Sequence, residues 1–184
     1  MSKNVDINAL SNTTVLDSDG RQLKLGQIWN SGPVILIFLR HFACISCRAH
    51  AAQVWKEKEQ YQKNGARIVF IGNGDPSFIE EFRSSLDLQD ALILTDPSLE
   101  SFRAAGLRNG YLAVLQLKSV VNAMKLAIDG NRPKLYTKEA GSVWQLGGIV
   151  ALKQDGKVVY QYASEALGDV SDADIEVIVG AEGK

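Results

Sequence analysis

The chain has two cysteines, Cys44 and Cys47, which form a C-x-x-C pair shortly after its most apolar run, PVILIFL. A run this continuous predicts a strand that is buried on both faces. After Cys47 the apolar residues fall at helical spacing, so the pair is predicted to lie between a strand end and a helix start. Backbone N–H groups at a helix start stabilise a thiolate, and cysteines three residues apart can close a disulfide. The pair therefore predicts thiol–disulfide chemistry.

Two arginines, Arg40 and Arg48, flank the cysteines and add positive charge. Both are candidates for stabilising a thiolate or binding an acidic substrate, with a solvated side chain as the alternative for Arg48. We expect an exposed Cys44 to act as the nucleophile and a more buried Cys47 to attack the mixed disulfide that results. His41 is interpreted as a loop residue, with proton donation to the site as the alternative.

Two structural interpretations of the cysteine pair compete with the redox one. The cysteines could be small buried hydrophobic residues of a helix. They could also bind zinc together with His41 and His50. Structural zinc sites usually join distant segments, and four ligands within ten residues around one helix start would be crowded. We therefore expect no metal and no other cofactor.

The composition is that of an ordinary globular domain. The chain has 184 residues, of which 46% are hydrophobic and 22% charged, and we expect one domain over residues 1–184. A net charge of -1 with scattered basic residues gives no reason to expect nucleic acid or an anionic membrane as partner. The polar N-terminus lacks the apolar core of a signal peptide, and no apolar run predicts a transmembrane helix. We expect a cytoplasmic protein.

Strands and helices alternate along the chain. Buried strands are predicted at VILIFL, ARIVFIG and DALILTD, each followed by a helix, and hairpins at the turns DSDG and QDGK. The helix after the cysteines is predicted to run to about Gly65, and Asp75 is the predicted cap of the next helix. A last helix is predicted at SDADIEVIVG. This order predicts an α/β fold whose parallel sheet is joined by an antiparallel hairpin.

One segment departs from this alternation. Residues 108–143 contain the stretch YLAVLQLKSVVNAMKLAI, which is predicted to be helical and is apolar on more than one face. We interpret it as a helical insertion that packs on the body, forms a lid or makes a subunit contact. A homodimer through residues 111–128 follows from the last of these.

Five stretches carry a family resemblance, in chain order: VILIFLRHFACISCRAHAAQ, GARIVFIGNGDP, LTDPSLESFRAAGL, QLGGIVALKQDGKVVYQYAS and ALGD. With them the chain resembles the thioredoxin-like AhpC/TSA family, in particular its peroxiredoxin-like 2 group. The resemblance implies a thioredoxin-like fold, a central mixed sheet flanked by helices, with a redox-active pair at Cys44 and Cys47. It also implies an antioxidant enzyme that reduces peroxides or a related small oxidised substrate, with thioredoxin or glutathione systems as electron donors.

The sequence departs from the family pattern at two places. In the register of typical peroxiredoxins, Cys44 occupies the place of a threonine and Cys47 that of the peroxidatic cysteine, so the order in which the sulfurs react is not fixed. The cis-proline of thioredoxins is replaced by LGG, with Gly147 or Gly148 at the nearest position. The alternatives to a small-substrate reductase are a thioredoxin-like reductase of protein disulfides and a non-enzymatic redox sensor.

Overall fold

The computed structural model of the protein describes residues 4–62, 65–109, 139 and 141–164. The strands in these ranges are β1 (Thr14–Leu16), β2 (Gln22–Lys24), β3 (Val34–Phe38), β4 (Arg67–Gly72), β5 (Leu92–Thr95), β6 (Gly148–Leu152) and β7 (Val158–Ala163). The helices are α1 (Ile7–Asn12), α2 (Ile45–Lys56), α3 (Lys58–Gln62), α4 (Phe78–Ser85) and α5 (Glu100–Ala104), with a 3₁₀ helix over Leu25–Ser31.

The seven strands form one mixed sheet in the order β2-β1-β5-β4-β3-β6-β7. β3 lies parallel to β4 and antiparallel to β6, so that Phe38 is opposite Ile71 on one side and Gly148 on the other. The carboxyl ends of β3 and β4 and the start of β6 therefore meet at one edge of the sheet. This edge positions the cysteines, which follow β3 in sequence, and open α/β sheets place their sites there.

The core fills both faces of the sheet, as the uninterrupted apolar run of β3 predicts. Alternate residues of β3 belong to two different hydrophobic clusters, Phe38 to one and Ile37 to the other. The first cluster includes residues of α1, the 3₁₀ helix and α5, and the second includes residues of α2, α3 and α4. The mixed sheet flanked by helices, the N-terminal hairpin and the late hairpin are thus confirmed.

Two local predictions are wrong. The helix after the cysteines ends at Lys56, because the Glu57 backbone leaves the helical region and caps it, and a separate short helix follows. Asp75 does not cap α4, whose N-cap is Ser77. The Asp75 carboxylate instead accepts from the N–H and hydroxyl of Ser77 at 2.9 and 2.6 Å. It closes a local turn before the helix, a common use of aspartate before proline.

Most of the predicted 108–143 insertion lies outside the described residues, as do the 111–128 segment and the predicted C-terminal helix. A homodimer through residues 111–128 therefore stays a prediction. In the part of the chain that the structure describes, none of the helices has the length and apolar character needed to cross a membrane.

Candidate active site

The loop that carries the cysteines is anchored by an aromatic side chain. β3 ends at Phe38, the N–H of Leu39 still bonds to β4, and the fully buried Phe42 then fixes the turn toward α2. The Phe42 ring packs edge-on against Phe82 of α4, with centroids 5.4 Å apart. It also occupies the space that a side chain at Gly72 would need, so position 72 requires glycine. The loop is thereby held against both β4 and α4.

Cys44 is the N-cap of α2. Its backbone is extended, and its sulfur accepts from the N–H of Cys47 at 3.4 Å. The Ser46 hydroxyl lies 3.1 Å from the same sulfur. N-cap positions are normally filled by serine, threonine or aspartate, whose side-chain oxygen accepts from the first helical turn. A thiolate sulfur in this place performs the same role and is stabilised by the positive end of the helix.

The two sulfurs shift each other's pKa in opposite directions. The pKa of Cys44 is lowered to about 6, chiefly by a hydrogen bond from the Cys47 thiol, with the Arg40 charge assisting and burial opposing. The pKa of Cys47 is raised well above its usual range by its bond to Cys44, by burial and by the negative charge of Cys44. At neutral pH, Cys44 is therefore a thiolate and Cys47 a thiol that donates to it.

The expected order of exposure is wrong. Cys44 is buried, with 6% of its surface exposed, whereas Cys47 is half-buried. The N-cap position accounts for this, because it turns the Cys44 sulfur over the first turn of α2, where Cys47 and Ser46 bind it. Protonation thus favours Cys44 as the first nucleophile, while access favours Cys47.

Arg40 lies beside the pair and is 4% exposed. Its backbone N–H donates to the Cys47 sulfur at 3.3 Å, and its Nη2 donates to the carbonyl of Val143. Its Nε and Nη1 have no hydrogen-bond partner among the described residues. The Arg40 charge lowers the pKa of both cysteines. The structure therefore brings Arg40 to the cysteines, with two donor nitrogens that could bind a thiolate or a substrate oxygen.

Arg48 occupies a different environment. Its guanidinium donates to the Phe42 carbonyl at 3.2 Å, to the carboxylate of Glu81 at 3.3 Å and to the hydroxyl of Ser85. The same group lies 5.4 Å from the centre of the Phe82 ring. Arg48 is not among the groups that shift the pKa of either cysteine. Its contacts join α2 to α4 and to the cysteine loop.

Replacing Arg48 by methionine should therefore lower stability without altering the cysteines. We expect the free energy of unfolding to fall by about 1–3 kcal/mol, because the bonds of a nearly buried guanidinium are lost. The loss stays moderate because its partner Glu81 is partly exposed to water. Urea unfolding measures this loss, and thiolate absorbance against pH measures the Cys44 pKa. A clear rise of that pKa in the variant would instead support the thiolate-stabilising role that the sequence predicts for Arg48.

The histidines make no metal site with the cysteines. His41 is buried, and burial together with the Arg40 charge lowers its pKa to about 3, so it is neutral at physiological pH and supplies no imidazolium proton. His50 lies half-buried on α2. Within the described ranges, no group of three or more histidine, cysteine or acidic side chains is placed to hold a metal ion.

Sequence reasoning missed Asn73. It follows β4 in the stretch GNGDP, where no motif marks a site. The structure buries its side chain and bonds it to the backbone of Arg40 and of Ser142. The nearby LGG stretch serves close packing, because a side chain at Gly147 would meet the Phe38 carbonyl and one at Gly148 the Tyr162 carbonyl.

Several known proteins are similar to this chain. The thioredoxin-like protein AAED1, chloroplastic, of Arabidopsis thaliana is 27% identical over 180 residues, covering 94% of this chain and 71% of the relative. A prostamide/prostaglandin F synthase of Danio rerio is 24% identical over 165 residues, covering 88% and 79%. Among solved structures, the peroxidoxin BcpB from Mycobacterium tuberculosis superposes with a TM-score of 0.66 at 16% identity, covering 93% and 94%. The sheet and its helices thus form a thioredoxin-like fold.

The family follows from a direct sequence match. Residues 53–166, more than half of the chain, match the AhpC/TSA antioxidant enzyme family. The matched segment begins after Cys47, so the cysteine pair at the helix start is a separate observation that points the same way. The chain belongs to the AhpC/TSA antioxidant enzyme family and is a peroxiredoxin-like thiol oxidoreductase.

Proposed function

We propose that the protein reduces small hydroperoxides through a Cys44–Cys47 dithiol–disulfide cycle. The observation that carries the proposal is the Cys44 sulfur at the N-cap of α2, with a pKa near 6 and with the Cys47 thiol bonded to it. A thiolate available at neutral pH is the nucleophile that peroxides require. The neighbouring Cys47 supplies the second sulfur of the cycle and gives up its proton when the disulfide forms.

The chemistry balances with these two residues. The Cys44 thiolate attacks one peroxide oxygen, the O–O bond breaks, and the other oxygen leaves as alcohol or water after taking a proton. Cys44 is then a sulfenic acid. The Cys47 sulfur attacks it, the S–S bond forms, and the hydroxyl leaves with the Cys47 proton as water. Two electrons have passed from the dithiol to the peroxide.

A thiol donor must restore the dithiol. Two donor thiols, of the thioredoxin or glutathione kind, exchange with the disulfide and leave as a disulfide themselves. This return step requires a reducing compartment, and we propose the cytoplasm. The redox-active disulfide is therefore an intermediate of the cycle and not a permanent cross-link.

The burial of Cys44 favours a small substrate over a protein disulfide. In thiol–disulfide exchange the attacking sulfur must reach the substrate sulfur directly, and only 6% of Cys44 is exposed. Some relatives are named as prostamide/prostaglandin F synthases. Because these names refer to organic compounds, the test substrates include an organic hydroperoxide beside hydrogen peroxide.

One equivalent of peroxide should oxidise the reduced protein within seconds. We expect its intact mass to fall by two hydrogen atoms, because the Cys44 thiolate reacts and Cys47 then closes the disulfide. Addition of thioredoxin, its reductase and NADPH should restore the mass and consume one NADPH for each disulfide. The double variant with both cysteines changed to serine is the control. A wild-type pair that stays reduced for many minutes with both peroxides would overturn the proposal.

A further inference from the structure

Asn73 uses both ends of its side-chain amide on other segments of the chain. It follows the last residue of β4 and is 4% exposed. Its Nδ2 donates to the Arg40 carbonyl, and its Oδ1 accepts from the N–H of Ser142 at 2.6 Å. The two partners fix the orientation of the amide, since a carbonyl can only accept and an N–H can only donate.

These bonds close a ring around Arg40. Asn73 binds the Arg40 carbonyl, the Arg40 side chain binds the Val143 carbonyl, and the next residue back, Ser142, binds Asn73. The Arg40 N–H, on the other side of its backbone, donates to the Cys47 sulfur. The orientation of Arg40 toward the cysteines is therefore fixed by hydrogen bonds at its backbone and at its side chain, two of which form the ring with Asn73.

Packing around Asn73 leaves its side chain little room to move. A side chain at Gly141, whose φ is +115°, would run into the Asn73 Oδ1 and would place its Cβ 3.0 Å from that of His41. Just beyond, the Asp75 N–H donates to the Glu139 carbonyl at 2.6 Å. The chain before β6 is thus bound to the end of β4 at several points, with Asn73 at the centre.

We propose that Asn73 is a positioning residue for the cysteine chemistry, which acts by holding Arg40 and residues 141–143 against the Cys44–Cys47 pair. The proposal rests on the proposed function, because the step that it serves is attack by the Cys44 thiolate. A buried amide with a purely structural role would contribute to stability alone. A positioning residue must also alter the titration of Cys44, since Arg40 is the cation that acts on it.

The test compares two Asn73 variants by the pH dependence of thiolate absorbance. The groups that act on Cys44 among the described residues are the Cys47 thiol and N–H, the Ser46 hydroxyl and the Arg40 charge. With Asn73→Ala, both bonds are lost, and we expect the pKa of Cys44 to rise from about 6 by roughly 1. The thiolate fraction at pH 6 would then fall from about one half to about one tenth.

Asn73→Asp separates positioning from folding because it keeps the size of the side chain. The aspartate carboxylate can still accept from the Ser142 N–H, but it has no donor for the Arg40 carbonyl. Its negative charge also attracts the Arg40 guanidinium and competes with the cysteines for it. We expect a rise in the Cys44 pKa at least as large as with alanine. This variant also keeps the test decisive if Asn73→Ala fails to fold.

Thr95→Val is the matched control. The Thr95 hydroxyl, also buried at this edge, donates to the carbonyl of Gly74, the residue after Asn73, at 2.6 Å. Its loss should lower the urea midpoint of unfolding and leave the Cys44 pKa unchanged within about 0.3. If the Asn73 variants behave like Thr95→Val, Asn73 is an ordinary structural amide and the proposal fails. If the pKa moves while peroxide leaves the wild type reduced, the proposed function fails and the positioning of Arg40 by Asn73 stands.

Discussion

The Cys44→Ser variant should lose peroxide-dependent turnover by on the order of 10³-fold or more, because the nucleophile of the cycle is removed. A serine hydroxyl at the N-cap of α2 would still accept from the Cys47 N–H, so we expect the helix to remain. The Cys47→Ser variant should react once and stop. Its Cys44 would carry a sulfenic acid, or a mixed disulfide with an added small thiol, which intact mass and peptide mapping would locate.

The timing of any reaction at Cys47 distinguishes the two possible orders of attack. Cys47 is more exposed than Cys44, and in the Cys44→Ser variant it no longer faces the neighbouring thiolate that raises its pKa. A slow oxidation of Cys47 in that variant is therefore expected and agrees with the assignment. Oxidation of Cys47 at the wild-type rate would contradict the assignment of Cys44 as the first nucleophile. Cys47 would then be the peroxidatic cysteine, in agreement with the register of typical peroxiredoxins.

The fold could be predicted from the sequence where the signal is local and repeated. The apolar runs of β3, β4 and β5 have the pattern that burial on both faces of a sheet imposes, and the hairpin turns have their own residue types. No sequence pattern predicts that α2 ends at Glu57, because the helical spacing of apolar residues continues to Tyr61 in α3. The residues around Asp75 favour a turn and a helix cap alike, so the sequence pattern does not distinguish the two.

The site could be predicted only in part, because its chemistry depends on contacts between distant segments. The spacing of Cys44 and Cys47 and the strand before them were sufficient to locate the thiols. The sequence separates Arg40 from Arg48 only by position, since Arg40 follows the apolar run of β3 whereas Arg48 directly follows Cys47. In the fold, the charge of Arg40 acts on both cysteines, whereas the Arg48 guanidinium binds Glu81 of α4.

Replacing Arg40 by methionine should slow the reaction of Cys44 and move its pH dependence upward. Methionine is of similar length but carries no charge, so the pKa of Cys44 should rise above its wild-type value of about 6. We expect alkylation by iodoacetamide at pH 6 to slow by about tenfold. Peroxide reduction should slow by at least as much, since Nε and Nη1 of Arg40, which have no partner among the described residues, are also lost. Arg40→Lys keeps the charge and should restore part of the pKa shift but little of the peroxide rate.

The pH dependence of the unfolding free energy of Arg40→Met is a second measure of the effect of the Arg40 charge on Cys44. The pKa of Cys44 is lower in the folded protein than in an unfolded chain, so its thiolate stabilises the fold above the ordinary thiol pKa. That contribution is lost as the pH falls through about 6. In Arg40→Met the difference between the two states is smaller, so the loss between pH 9 and pH 6 should shrink, whereas in Arg48→Met it should persist. If Arg40→Met and Arg48→Met show the same stability profile and the same alkylation rate, the Arg40 charge does not act on Cys44, and the low pKa must come from Cys47 and the start of α2 alone.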